Sequence, residues 1–133
     1  MLETYACQRA ADNIGEEQLD QLRQLERSES EALAKEDLER ISEINSAIHE
    51  LILESSGNDV LMDLIGYLQA RVPSYRLFAL GNEENLQAFS RSHGRIISLL
   101  EQGEGSKAGE EMSRHVKLAK DVMLQALEER QTN

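Results

Sequence analysis

The chain has one cysteine, one proline, no tryptophan and only 4% aromatic residues in 133 positions. Each scarcity excludes something. The lone Cys7 cannot close an internal disulfide, so a disulfide-stapled secreted scaffold is ruled out and a reducing cytoplasmic setting fits. It reads as a small buried hydrophobe on the first helix. With so few aromatics a sheet is disfavoured, whereas the abundant Leu, Glu, Ala, Gln, Arg and Lys are good helix formers. No run of 18 apolar residues exists, so no transmembrane helix is expected. The N-terminus lacks the basic flank and apolar stretch of a signal peptide. Basic residues are in the minority: 14 Lys and Arg against 25 Asp and Glu give a formal charge of −11, and such a segment repels phosphate backbones rather than gripping nucleic acid.

What is present is helical pattern from end to end, enough for one domain over residues 1–133 with a real core. Leu2 to about Asn13 reads as a short helix, stopped near Asn13 and Gly15. A second runs from Glu16 to about Lys35, with Leu19, Leu22, Leu25, Ala32 and Leu33 as its stripe. Glu36-Asp37 opens a third, which ends at Ser55-Ser56-Gly57-Asn58. Asn58 can cap a fourth, Asp59 to about Val72, with Leu61, Leu64, Ile65, Leu68 and Val72 facing inward. Pro73 interrupts, and Gly81-Asn82 breaks the pattern again. A fifth helix spans Glu83 to Glu101, and a last one Lys107 to about Arg130. Nothing alternates with period two for long enough to make a strand. The expected fold is all-α, an antiparallel bundle of about six helices joined by short connections. The pattern begins at Met1 with no lead-in, as in a segment of a longer protein.

All three histidines fall on apolar faces. His49 lies among Leu38, Ile41, Ile48 and Ile52, His93 among Phe89, Ile96, Ile97 and Leu100, and His115 among Met112, Leu118, Ala119 and Val122. Imidazole is amphipathic and titrates near neutrality, so burying it is costly unless something binds it. Asn45 stands four residues before His49, on the same helical face. His93 and His115 lie about 9 residues before and about 12 after the turn near Gly103, so antiparallel helices rising about 1.5 Å per residue bring them level. Three imidazoles with one oxygen donor would suit Zn²⁺, with Ni²⁺ or Mn²⁺ as alternatives. Four neutral donors would leave the ion its full charge and attract a small carboxylate. The competing reading keeps each histidine as a satisfied core residue and Asn45 as a buried amide.

Arg71, Tyr67, Tyr75 and Arg76 surround the Pro73 bend. Arginine forks carboxylates bidentately, which makes Arg71 a candidate effector contact, with Tyr67 and Tyr75 beside it. Met62, Met112 and Met123 read as core filler. Catalytic signatures fail: His49-Glu50 starts like a zincin motif, but position 53 is Leu. Gly103-Glu104-Gly105 lacks the strand a phosphate loop needs, and Ser92-His93 are helix neighbours that cannot face each other. No catalytic residues are assigned.

The run Ile44-Asn45-Ser46-Ala47-Ile48-His49, then Ser55-Ser56-Gly57-Asn58 and Leu61, resembles the D-x-x-F-H … a-s-G-N-x-x-L segment of the FCD domain. That domain is the ligand-binding C-terminal part of FadR-type GntR transcriptional regulators. Ser92-His93-Gly94-Arg95-Ile96-Ile97, Gly103-Glu104, Ala108 and Met112-Ser113-Arg114-His115-Val116 resemble its later histidine-bearing segments. Leu2-Glu3 and Arg9-Ala10-Ala11 look like its opening helix. The resemblance implies a helical bundle that binds a small organic acid, often at a divalent metal held by one Asp and three His. The matching positions are Asn45, His49, His93 and His115. Asn45 replaces the usual Asp, which should weaken the metal site, and Ile48 replaces a Phe. A winged helix-turn-helix normally precedes the domain and is absent from this chain.

The resulting expectation is a cytoplasmic effector-binding domain of a bacterial regulator, homodimeric, with no membrane contact and with DNA reached only through a separate N-terminal domain. The rival is a helical interaction or dimerisation module whose histidines are packed and which binds neither metal nor ligand. A metal-dependent hydrolase is a third class, for which no general base stands out.

Overall fold

A computed structural model of the chain describes residues 2–70 and 82–132. Among them are six helices and no strand: α1 Leu2–Asn13, α2 Glu16–Ala34, α3 Leu38–Ser55, α4 Asp59–Ala70, α5 Glu83–Glu101 and α6 Gly105–Thr132. The all-α expectation holds, with boundaries within two or three residues of those read from the pattern. None of the described helices is long and apolar enough to cross a membrane.

Local chemistry sets the ends. The Asp37 side chain accepts the Arg40 N–H at 3.1 Å and caps α3. Asn82 does the same for α5, accepting from Glu84 N–H at 2.9 Å and Asn85 N–H at 3.4 Å. At the end of α5, Glu104 N–H reaches Leu99 C=O and Gly103 N–H reaches Leu100 C=O, with Gly103 at φ 73°. This is the 6→1 and 5→2 pairing of a Schellman stop. The end of α2 repeats it through Asp37 to Ala32 and Glu36 to Leu33, but there Glu36 takes the left-handed conformation, φ 56°. Glu36 therefore belongs to the turn rather than opening α3.

The core joins Leu22 of α2 and Ile41, Ile44, Ile48 and Ile52 of α3 to Phe89, Ile96, Ile97 and Leu100 of α5 and Ala108 and Met112 of α6. Consecutive helices pack as expected for α2 with α3 and for α5 with α6. Helix α1 departs from that rule. Its main partner is α6 at the far end of the chain. Small residues explain this: Cys7 and Ala10 are fully buried on α1, and the Cys7 thiol donates to the Ala108 carbonyl at 3.6 Å. A Cβ added at Gly105 would lie 3.0 Å from the Gln8 carbonyl oxygen, so the backbones meet closely because no side chain intervenes.

Helix α4 also differs. Leu64, placed on the inward stripe by its spacing, is 45% exposed, and Val60 is 77% exposed. Met62 is the described α4 side chain that packs inward, against Ala6 and Leu53.

Candidate metal centre

Three helices deliver the histidines to one point. Helix α3 buries Ile44, Ile48 and Ile52, and His49 on the same side is only 5% exposed. Helix α5 buries Phe89, Ile96, Ile97 and Leu100, placing His93 at 1%. Helix α6 buries Ala108 and Met112, and His115 follows one turn later at 4%. Ring centroids are 4.6 Å apart for His93–His115, 5.1 Å for His49–His115 and 5.5 Å for His49–His93. Phe89 closes one side, edge-on to His115 at 5.6 Å.

The donor atoms are closer than the rings. His49 Nε2 lies 3.2 Å from His115 Nε2, and one nitrogen from each histidine can be chosen so that all lie within 4.8 Å of one another. Two imidazole nitrogens on one tetrahedral zinc are roughly 3.3 Å apart, given Zn–N bonds of about 2.0–2.1 Å. The His49–His115 pair already has that spacing. His93 Nε2 is buried with no hydrogen-bond partner among the described residues. A buried, unpartnered ring nitrogen in a cluster of three imidazoles is what a cation would satisfy, so the donor set fits a borderline divalent ion.

One residue was missing from the sequence reading. Glu29 on α2 is 2% exposed, and its carboxylate oxygens lie 3.0 and 3.1 Å from His93 Nδ1. A carboxylate can only accept, so Nδ1 carries the proton, and in the neutral ring the lone pair falls on Nε2. The signal was present in the pattern: Glu29 sits on the Leu22, Leu25, Ala32, Leu33 stripe, where a charged residue breaks the apolar run.

The other expected residues are not gathered here to the same degree. Asn45 lies one turn before His49 on α3 and is half-buried. Tyr67 is 57% exposed on α4. Arg71, Tyr75, Arg76 and the Pro73 bend lie outside the described residues.

Arginines line a pocket that reaches one of the three histidines, His115. A pocket of about 320 Å³ opens between α5 and α6, and its wall includes His115, Ser92, Glu111, Arg91, Arg95 and Arg114. Glu111 holds Arg95 Nε and Arg114 Nη2 at 2.8 Å each. Burial pushes the Glu111 carboxyl up, but the hydrogen bonds from Arg114 and Arg95 outweigh it and hold it below the ordinary carboxylate value. Each guanidinium keeps further N–H donors for an incoming anion.

Comparison with known proteins matches the FCD domain family to residues 1–118. The fold is similar to that of E. coli McbR/YncC, with a TM-score of 0.85 at 19% identity over 93% of this chain and 63% of that one. The chain thus spans less than two thirds of that structure's length. No curated protein sequence matches.

Proposed function

This chain belongs to the FCD domain family, and on that footing we propose that it is the effector-binding domain of a bacterial GntR-type transcriptional regulator of the FadR group. The observation that carries the reading is the meeting of His49, His93 and His115 inside the bundle, with His93 Nε2 bare. These three would hold a divalent ion, Zn²⁺ first by donor type, with Asn45 as a weak or water-mediated fourth partner. Bound there, the ion would act as a fixed positive charge for the carboxylate of a small organic acid.

The chain's own groups supply the rest. The pocket beside His115 is the entrance, and Arg91, Arg95 and Arg114 draw an anion into an otherwise acidic molecule. Phe89 and the isoleucines exclude water from the histidines, which strengthens each electrostatic contact inside. Arg71, Tyr67 and Tyr75 remain proposed effector contacts. Helix α4 exposes Val60 and Leu64, an apolar surface suited to a second copy in a homodimer.

Such a domain senses rather than catalyses. It works in the cytoplasm, where its DNA-binding partner domain would meet the operator. An effector shifts the balance between two helix arrangements only by its differential affinity for them. The test is a titration of small mono- and dicarboxylic acids into the full-length regulator on its operator DNA. At least one acid should change DNA affinity in a metal-dependent way. No change with any acid, in protein shown to carry metal, would contradict the proposal.

A second reading, a helical interaction module, draws on the same exposed face of α4. It leaves the bare nitrogen of His93 unexplained.

A further inference from the structure

Glu29 does nothing that helix packing requires. It occupies a core-facing position on α2 where a leucine would bury more apolar surface, and its side chain is only 3% exposed. Burying a carboxylate is costly unless it is bonded and its charge is used. Its partner among the described residues is His93 Nδ1. No lysine or arginine there neutralises it. The histidine group itself contains no carboxylate, so a divalent ion held by three neutral imidazoles would keep its whole charge in a low-dielectric core.

We propose that Glu29 is the charge-balancing positioning residue of the histidine centre. It fixes His93 in the Nδ1–H tautomer, leaves Nε2 for the ion, and places one negative charge directly behind the ligating ring. A carboxylate behind a ligating histidine also raises the basicity of the coordinating nitrogen. The inference rests on the metal-binding reading above, and its test separates the two.

The protein is stripped with a chelator, and Zn²⁺ alone is titrated against a competing chelator at one pH. Wild type is compared with Glu29→Gln, which keeps the size and an accepting oxygen but loses the charge, with Asn45→Asp, and with the two combined. The nitrogen chemical shifts of His93 are read in the metal-free wild type. Glu29→Gln should weaken Zn²⁺ binding by roughly 10–100-fold while retaining helix content. The double variant should recover much of that loss, and by a larger factor than Asn45→Asp gains in wild type, because it restores the missing negative charge. A merely structural role for Glu29 leaves the two effects additive, so that Asn45→Asp gains no more in the Glu29→Gln background than in wild type. Equal Zn²⁺ affinity for wild type and Glu29→Gln, a gain from Asn45→Asp no larger in the Glu29→Gln background than in wild type, or His93 protonated on Nε2 would each overturn the inference and leave the metal reading standing. A wild type that takes up no Zn²⁺, with His93 protonated on Nδ1, removes the metal reading and the charge-balancing role with it.

Discussion

Glu29 Oε2 lies 3.0 Å from His93 Nδ1 deep between α2 and α5, although 64 positions separate them along the chain. The contact ties a helix that carries none of the three histidines to the ring that offers the bare nitrogen. It also fixes which face of His93 looks inward, so the ring is oriented before any ligand arrives.

Removing that ring should therefore be decisive for binding. His93→Ala is expected to weaken Zn²⁺ uptake by more than about a hundredfold, beyond the loss usual for a merely supporting residue. His115→Gln, which removes a ring from the opposite wall without a large cavity, should behave alike. Chelator competition measures both, and circular dichroism checks that the helices persist.

Asn45→Asp should act in the other direction. An anionic oxygen one turn before His49 adds attraction to a dication, and a gain of at least about tenfold in Zn²⁺ affinity is expected at an effective dielectric near 20. The same competition assay reads it. Unchanged affinity would place position 45 outside the ligand set.

Glu111 makes the pH dependence specific. Its carboxyl is lowered in the folded protein by Arg114 and Arg95, against the opposing effect of burial. A group lowered on folding stabilises the fold above its unfolded value and loses that contribution as pH falls through its folded value. Wild type should exceed Glu111→Gln in stability at pH 7, and the gap should shrink below about pH 4.5, the ordinary carboxyl value. Urea unfolding at several pH values tests the sign.

Glu36→Gly should stabilise the protein by about 1 kcal/mol, because a non-glycine residue in the left-handed region carries a cost of that order. Glu36 has φ 56° at the stop of α2. A raised denaturant midpoint with an unchanged slope is the expected result.

Much of this structure was legible in the sequence. The helices followed from stripes, caps and the stops at Gly57 and Gly103, and the meeting of the histidines from their apolar surroundings and the similar rise of His93 and His115 about a turn. What was not legible has physical causes. The pairing of α1 with α6 depends on small residues 101 positions apart, Cys7 and Ala108, which no local period reveals. The exposure of Leu64 could not be read from spacing, since an apolar stripe does not say whether a partner covers it. Glu29 was readable as a flaw in the α2 stripe, but its meaning required knowing which ring lay opposite.

The most direct test is the metal content of protein purified without an affinity tag, stripped and then reloaded, with X-ray absorption at the bound ion. One divalent ion per chain, in a shell of imidazole nitrogens at about 2.0–2.1 Å if it is zinc, is the expected result. Protein that retains no stoichiometric Zn²⁺, Ni²⁺ or Mn²⁺ after reloading would contradict the shared histidine site.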